Sequence, residues 1–298
     1  MVLNKNNAAG TVVALGSFDG LHLGHQAVLD AAKELARRLH AEPVLCTFRE
    51  HPLKVLTGQA PPSLFQGAVK ERLLQESGLD TYFLDFAEIK DQSPELFFQS
   101  ILLDQLHAKG VCCGFNYSFG EGGKGTPELL EALCRENGIA FSEVPAKTLD
   151  GVTVSSTVIR SAMEQGKVDM ANKMLGRAFS FESPVTHGDG RGRTWGIPTI
   201  NQLYPEGLVA PEKGVYLSDV CVNGTHYKGV TNIGVRPTVR EGEALSAETF
   251  VIGFSGDLYG TRPEVSLLRF LRPEQKFESF TALKAQIQKD IAAAKEEA

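Results

Sequence analysis

Short apolar runs alternate with amphipathic helical patterns from Thr11 to about Val144. The runs read TVVAL, PVLCTF, TYFLDF, GVCCG and IAFSEV, and each has the length of a buried strand. From Gln26 to Leu39 the apolar residues recur at three- and four-residue spacing, which predicts a helix with one buried stripe. Strands that alternate with helices are typical of βα units, so this part of the chain predicts a parallel sheet.

Two later helices carry clear start signals. Ser93-Pro94-Glu95 and Thr126-Pro127-Glu128 each supply a hydroxyl for the N-cap, a proline for the first helical position and an acid near the positive helix end. Gly138 then favours an end to the second helix. The sequence therefore predicts helices that begin at these two points.

Helical periodicity gives way to strand-like runs near residue 180, around RAFSFESP. Asn223-Gly224 lies between two β-rich runs and predicts a type I′ hairpin. The runs ETFVIGF and EVSLLRFL follow, before a closing amphipathic helix. Strands without intervening helices indicate an antiparallel sheet or a small barrel. We therefore expect an α/β domain over residues 1–180 and a mostly β domain over residues 181–298.

Composition and charge narrow the class of protein. The 298 residues are 42% apolar, and no apolar run approaches the roughly 18 residues that a membrane helix needs. The net charge is -6 and the basic residues are scattered, so neither a nucleic-acid partner nor a membrane is expected. The five cysteines are odd in number and lack CxxC spacing, which favours buried free thiols in a reducing compartment. With no secretory leader pattern, we expect a cytoplasmic protein, and a homo-oligomer is compatible with the sequence.

The stretch GSFDGLHLGH, Gly16–His25, joins the first predicted strand to the first helix. Its glycines let the backbone approach a ligand, and the unpaired N–H groups of the helix start favour an anion. His22 and His25 then place two imidazole donors around a phosphate that gains negative charge during transfer. A metal site lacks a third nearby ligand, and Ser17 lacks the context of a nucleophile. Histidines that merely cap or pack the turn are the structural alternative.

Two further stretches favour the same chemistry. VSSTVIRSAMEQG places hydroxyls at a helix start and Arg160 in the first turn, a combination that suits a second phosphate. An ordinary N-cap and an exposed arginine are the alternative for these residues. GFNYSFG follows a predicted strand and offers aromatic rings for a flat ligand, with Asn116 as a polar contact.

The motifs GSFDGLHLGH, TFREHP, GFNYSFGEGGKGT and SSTVIR, in this order, resemble the adenylyltransferase module of the bacterial bifunctional riboflavin kinase/FMN adenylyltransferases, the prokaryotic FAD synthetases. The resemblance implies a Rossmann-like nucleotidyltransferase domain in which His22, His25 and Arg160 act on the ATP phosphates. It also implies contacts with nucleotide or flavin from further residues: Gly16, Phe18, Asp19, Gly24, Asn116, Ser156 and Thr157.

The second half carries another glycine-rich stretch, HGDGRGRTWGIPTIN, from His187 to Asn201. Thr199 and Asn201 carry hard oxygens two residues apart, so on an extended segment they face the same side and suit Mg²⁺. A solvated loop is the alternative from these residues alone. Together with GVYLSDV, GVTNIGVRPTV, AETFVIGF and LRPEQKF, the stretch resembles the riboflavin kinase module of the same family. The two resemblances cover nearly the whole chain.

The second resemblance implies a small Greek-key-like β-barrel with a C-terminal helix. In such a domain Thr199 and Asn201 bind Mg²⁺ and the ATP phosphates, and Glu248 is the base for the ribityl 5′-hydroxyl. From the bare sequence, Glu248 is equally a solvent-facing strand residue. The other residues expected beside ATP or flavin are Gly190, Arg193, Gly196, Pro198, Arg272, Glu274 and Phe277.

The resemblance as a whole implies two ATP-dependent steps, from riboflavin to FMN and from FMN to FAD with release of pyrophosphate. The chain departs from the family pattern at Glu50, Asn116, Ile200 and Gly253, where proline, aspartate, a small residue and an acid are more usual. Two alternatives stay open at this point. The chain could keep only one of the two activities, or it could bind or sense flavin without turning it over.

Overall fold

The computed structural model describes residues 10–188, 196–237 and 243–296, and the chain divides into two compact units. The first unit comprises Met1–Pro61 and Glu71–Ser155. The second comprises Pro62–Lys70 and Ser156–Ala298. The short segment Pro62–Lys70 therefore belongs to the second unit although it lies early in the sequence.

The first unit is built on a parallel sheet of five strands in the order β3-β2-β1-β4-β5. Every apolar run expected to form a strand does so. The strands are β1 (Thr11–Leu15), β2 (Glu42–Phe48), β3 (Asp80–Leu84), β4 (Ala108–Gly114) and β5 (Ala140–Val144). β1 lies in the centre and is buried along its whole length, as the run TVVAL requires.

Helices connect these strands, and the predicted N-caps are present. The Ser93 and Thr126 hydroxyls accept hydrogen bonds from the N–H groups of Leu96 and Leu129. The helices are α1 (Leu23–Leu39), α2 (Pro52–Thr57), α3 (Gly67–Glu76), α4 (Phe86–Ile89), α5 (Pro94–Phe97), which continues as a π-helix over Phe98–Gln105, and α6 (Pro127–Glu136). A small hairpin of β6 (Thr148–Leu149) and β7 (Val152–Thr153) follows β5.

The second unit holds a curled antiparallel sheet of seven strands in the order β8-β14-β11-β12-β13-β10-β9. Two helices precede it, α7 (Ser156–Glu164) and α8 (Val168–Leu175), and α9 (Phe280–Glu296) closes the chain. The strands are β8 (Phe179–Glu182), β9 (Val185–Thr186), β10 (Thr199–Leu203), β11 (Gly214–Val222), β12 (Thr225–Pro237), β13 (Glu243–Val251) and β14 (Glu264–Pro273).

The two domain types expected from the sequence are confirmed, as is the tight hairpin between β11 and β12. Asn223 and Gly224 both have positive φ, 49° and 80°, as a type I′ turn requires. One face of the curled sheet packs against α9 through a core that includes Val215, Leu217 and Ile291. The structure thus has a half-barrel with one helix across it.

Two sequence expectations concern membrane-spanning helices and the state of the cysteines. Among the described residues, no helix combines the length and the apolar character needed to cross a membrane. All five cysteines are free; Cys46, Cys112, Cys113 and Cys134 are buried. Burial raises the pKa of the Cys112, Cys113 and Cys134 thiols to about 12, so these groups are inert as nucleophiles.

Candidate active sites

The loop Gly16–His25 leaves the carboxyl end of β1 at the centre of the parallel sheet. The order of strands reverses between β1 and β4, and ligands of open α/β folds bind at such a reversal. Asn116 follows the end of β4 and is exposed. The two motifs that the sequence singled out therefore open at the same edge of the sheet.

The two histidines of this loop are held together at the start of α1. His22 is the N-cap, and its Nδ1 accepts a hydrogen bond from the His25 N–H at 3.2 Å. The imidazole rings stack with centroids 3.7 Å apart and planes 13° apart. A Cβ at Gly24 would lie 3.1 Å from His22 Cε1, so a residue with a side chain would press on that ring. Glycine at this position leaves room for the stacked pair.

The N-cap hydrogen bond determines which ring nitrogen of His22 can carry a proton, and burial lowers the pKa of His25. Because His22 Nδ1 accepts, the proton of a neutral His22 is carried by Nε2. Burial, and next the nearby His22, hold the pKa of His25 well below its usual value. Burial thus favours a neutral His25, while the N-cap hydrogen bond leaves Nε2 as the nitrogen of His22 that can donate.

The rest of the loop shapes the approach to the histidines. Phe18 has a left-handed backbone conformation with φ 48°, and its ring is buried. A Cβ at Gly16 would lie 3.2 Å from that ring. Asp19 begins a short 3-10 turn that leads to His22. Phe18 therefore contacts His25 and Gly24 lies against His22, whereas Gly16 packs against Phe18.

The SSTVIR motif begins at Ser155, the last residue of the first unit, and its other residues form the start of α7 in the second unit. Ile159 faces the core, whereas Thr157 is exposed and Ser156 is partly so. The Arg160 guanidinium lies 3.5 Å from the Pro62 carbonyl oxygen, to which Nη1 donates. The hydroxyls at the helix start and the arginine of its first turn are therefore on one helix, as the sequence predicts.

The candidate residues of the second unit form a row across three strands. Asn201 of β10 pairs directly with Glu248 of β13, which pairs directly with Asn232 of β12. Directly paired residues put their side chains on the same face, with Cβ atoms about 5 Å apart. Thr199 lies two positions before Asn201 on the same strand and shares that face. The antiparallel register thus brings together Thr199, Asn201 and Glu248.

The backbone before β10 closes tightly on this row. A Cβ at Gly188 would lie 2.5 Å from Asn201 Nδ2, so only glycine fits there without moving the amide. Gly196 has φ 72° and Pro198 is exposed beside Thr199. The predicted contacts Gly190 and Arg193 lie outside the described residues.

Arg272 holds β14 to the helix α9. Its Nη2 donates to Asp290 Oδ2 at 2.8 Å, and its Nε lies 3.2 Å from both carboxylate oxygens. The guanidinium also lies over the Phe277 ring at 5.8 Å. Beside this pair, Glu274 Oε1 accepts from Asn232 Nδ2 at 3.2 Å. The segment expected to border a flavin is thus tied to the row that contains Glu248.

Comparisons with known proteins match both units. A family model for FAD synthetase matches residues 4–158, and a model for riboflavin kinase matches residues 175–298. Bifunctional riboflavin kinase/FMN adenylyltransferases match nearly end to end. That of Listeria monocytogenes is 35% identical over 94% of this chain and 90% of its own length. That of Escherichia coli K12 is 35% identical over 99% and 95%.

This chain belongs to the bifunctional riboflavin kinase/FMN adenylyltransferase family. The family resemblance read from the motifs is therefore confirmed. The relative from Bacillus subtilis is 34% identical over 97% of this chain and 92% of its own length. A crystal structure described as a macrolide-efflux protein from Streptococcus pneumoniae is similar with a TM-score of 0.90 and 31% identity, over 99% of this chain and 97% of that one.

Three residues beside the candidate sites of this family member were missed from the sequence. Asp290 of α9 contacts Arg272, and Asn232 of β12 contacts Glu274. These partners are far apart in the sequence, so no local pattern indicates either contact. The Thr47 hydroxyl donates to the Ser17 carbonyl at 2.9 Å, between β2 and the histidine loop. Thr47 lies in TFREHP, one of the motifs that carry the family resemblance, but nothing in that motif indicates its contact with Ser17.

Proposed function

We propose that residues 1–180 and residues 181–298 each perform one step of flavin nucleotide synthesis. The second domain transfers the γ-phosphoryl group of ATP to riboflavin and forms FMN, and the first transfers the adenylyl group of a second ATP to FMN and forms FAD. The observation that carries this division is the tandem match of a FAD synthetase model and a riboflavin kinase model, each over a unit with its own polar cluster.

In the adenylyl step, a phosphate oxygen of FMN attacks the α-phosphorus of ATP and pyrophosphate leaves. Negative charge grows on the phosphate oxygens as the bond to the leaving group breaks. The Nε2–H of His22 and that of His25 donate to those oxygens, and the unpaired N–H groups at the start of α1 favour the same charge. Thr157 and Arg160 supply the second phosphate contact.

In the phosphoryl step, the ribityl 5′-hydroxyl of riboflavin attacks the γ-phosphorus and ADP leaves. Glu248 accepts the hydroxyl proton, and Asn201 lies directly beside it in the strand register. Both reactions are in-line displacements, so the protein chiefly orients the reactants and neutralises charge. Neither reaction needs a covalent enzyme intermediate.

In the second unit, Thr199 and Asn201 are suited to bind Mg²⁺. Thr199 and Asn201 offer a hydroxyl and an amide oxygen on one face, and glycine at 188 leaves space against the amide. Mg²⁺ prefers oxygen ligands and takes few from protein when phosphates supply the others. Thr199 and Asn201 would hold the ion, which when bound neutralises phosphate charge. The described residues contain no cluster of three or more His, Cys, Asp or Glu side chains that suits a metal.

The setting of the enzyme follows from its surface and its thiols. We propose a cytoplasmic enzyme, since four of its five free cysteines are buried as thiols. Its partners are small molecules, because the scattered basic residues form no nucleic-acid footprint. Sedimentation velocity decides between a monomer and a homo-oligomer, and a gel-shift assay with mixed RNA tests the absence of nucleic-acid binding.

The flavin product profile tests the division of labour. Purified protein is incubated with riboflavin and Mg-ATP, and the flavins are resolved by chromatography. We expect FMN first and FAD after it. FMN alone, or FAD only from supplied FMN, would leave one activity, and unconverted riboflavin that co-elutes with the protein would leave a flavin-binding protein.

Two variants separate the steps. His25→Ala should stop FAD formation while FMN accumulates, and Glu248→Gln should stop FMN formation while supplied FMN still becomes FAD. Glu206→Gln, an exposed carboxylate of the second unit, is the matched control for Glu248→Gln and should alter neither step. Loss of both steps in a folded His25→Ala or Glu248→Gln protein would contradict separate sites.

A further inference from the structure

The ring of Phe18 lies inside the histidine loop but does not face its opening. Its side chain is 2% exposed, so it offers no surface to a substrate. Its backbone is left-handed, with φ 48° and ψ 29°, a conformation that bulky side chains rarely adopt. Such strain persists where the surrounding structure enforces it, and it clusters at functional sites.

The contacts of this ring lead directly to the histidines. Phe18 meets His25 edge to face, with centroids 5.2 Å apart and planes 62° apart. The Phe18 ring also fits against Gly16, where a Cβ would lie 3.2 Å from two ring carbons. His25 in turn stacks on His22. Gly16, Phe18, His25 and His22 are therefore packed in one continuous series.

A hydrogen bond anchors the loop at the residue before Phe18. The Thr47 hydroxyl on β2 donates to the Ser17 carbonyl at 2.9 Å, and Thr47 is buried. The Gly16 N–H lies 3.3 Å from the Cys46 carbonyl and donates to it. Both contacts come from the neighbouring strand, so the sheet itself fixes where the backbone of Phe18 begins.

The two histidines differ in what orients their rings. A hydrogen bond to one ring nitrogen usually fixes the orientation of a functional histidine. His22 has such a bond through Nδ1. His25 Nδ1 is buried and has no hydrogen-bond partner among the described residues. The plane of the His25 ring is therefore set by packing, in which the rings of Phe18 and His22 take part.

We propose that Phe18 is a positioning residue for adenylyl transfer, whose buried ring holds the plane of His25 so that Nε2 meets the ATP phosphates. The proposal rests on the proposed role of His25. The aromatic contact does for His25 what the N-cap hydrogen bond does for His22. Gly16 and Thr47 act through Phe18, by leaving space for the ring and by fixing the loop.

Phe18→Leu tests the proposal, with Phe97→Leu as its matched control. Phe97 is also 2% exposed and contacts an aromatic ring, Phe119 at 5.6 Å, but it belongs to a core cluster that does not include Phe18. We expect Phe18→Leu to lower kcat for FAD formation by about 10–100-fold, because a misplacement of about 1 Å can cost about 100-fold in rate, with KM for FMN and ATP within about threefold. Phe97→Leu should lower Tm comparably and leave kcat within about twofold of wild type.

A second measurement follows the His25 ring directly. NMR titration of the ring, assigned by its absence from His25→Ala, should show the pKa of His25 rising toward the ordinary histidine value in Phe18→Leu, because water reaches the loosened ring. Phe97→Leu should leave that titration unchanged. Riboflavin phosphorylation by the second unit should stay at the wild-type rate in both variants and reports correct folding there.

Thr47 keeps the test decisive if Phe18→Leu fails to fold. Thr47→Val removes the hydroxyl at constant shape and should lower kcat for FAD formation, whereas Thr47→Ser should restore it. Suppose that His25→Ala abolishes FAD formation. Equal losses of kcat in Phe18→Leu and Phe97→Leu, or an unchanged kcat in Thr47→Val, would then overturn the positioning role of Phe18. If His25→Ala keeps full activity, the proposed function of His25 fails, and the role of Phe18 fails with it.

Discussion

The ion pair between Arg272 and Asp290 is expected to stabilise the contact between the curled sheet and α9. The two side chains are 14% and 6% exposed, and Gln286 Nε2 adds a hydrogen bond to Asp290 Oδ1 at 2.9 Å. Asp290→Ala leaves a guanidinium largely buried and without its carboxylate. Breaking a buried pair in this way costs about 3–5 kcal/mol. For a unit of about 150 residues, that corresponds to a fall in Tm of about 6–20 °C.

Differential scanning calorimetry of the full chain measures the fall. The matched control is Asp219→Ala, whose partner His226 is 65% exposed although their atoms approach to 2.6 Å. An exposed pair contributes at most about 1 kcal/mol, so this control should move Tm little. The double variant Arg272→Met, Asp290→Leu should recover most of the lost stability, because it removes both buried charges. A loss in Asp290→Ala no larger than in Asp219→Ala would refute the reasoning.

Three further predictions follow from the glycines and from His25. Gly188→Ala should reduce FMN formation at least tenfold with Tm nearly unchanged, because the added Cβ would displace the Asn201 amide. FAD formation from supplied FMN is the control that shows the first unit to be intact. Gly253→Ala should lower the stability of the second unit by about 1 kcal/mol in urea unfolding, because φ is 78° there while the space is open. The stability of the first unit should fall as pH drops below about 6.5, because His25 takes up a proton more readily in the unfolded state than in the folded state. Urea titrations at pH 5 and 7 measure this fall, and His25→Gln should reduce it.

Local patterns were enough to predict most of the secondary structure. The five runs of the parallel sheet are short and apolar, and helical segments separate each from the next. Both the lengths of the runs and the spacing of their apolar residues therefore indicate buried strands. The hydroxyl, proline and acid at Ser93 and Thr126 satisfy the first N–H groups of their helices through contacts three residues away. Signals of this kind depend only on neighbouring residues, and they are visible in the sequence.

The assignment of Pro62–Lys70 to the second unit could not be predicted in the same way. The Ser63 N–H donates to the Gly207 carbonyl at 2.8 Å, and the Val209 N–H donates to Ser63 at 2.9 Å. Phe65 then stacks on Phe179. These partners lie more than 100 residues away along the chain, and a backbone hydrogen bond leaves no signature in the side chains that form it. The boundary at residue 180 remains a prediction about function, whereas the packing divides the chain differently.

The candidate residues themselves were recognisable because glycines and hydroxyls mark their loops, but the residues that support them were not. Asp290 lies in an amphipathic helix in which any exposed position accepts an acid, and only the fold turns it toward Arg272. Asn232 gains its place beside Glu248 from the register of two strands. Register is set by turns and by the buried face together, so a polar residue on a strand reveals its neighbour only once the sheet has formed.

The two sites arrange their polar groups by different physical means. In the first unit the two histidines and the residues packed around them come from one continuous loop, so their positions depend on backbone strain, stacking and the start of α1. In the second they come from separate strands, so their positions depend on the ladder of hydrogen bonds that holds β10 beside β13. A loop site can lose its geometry through one local packing change such as that at Phe18, whereas a strand site keeps its spacing as long as the register holds. The residues that support the first site are therefore found within a few positions of the histidines or on the adjoining strand, and those that support the second are found far away in sequence.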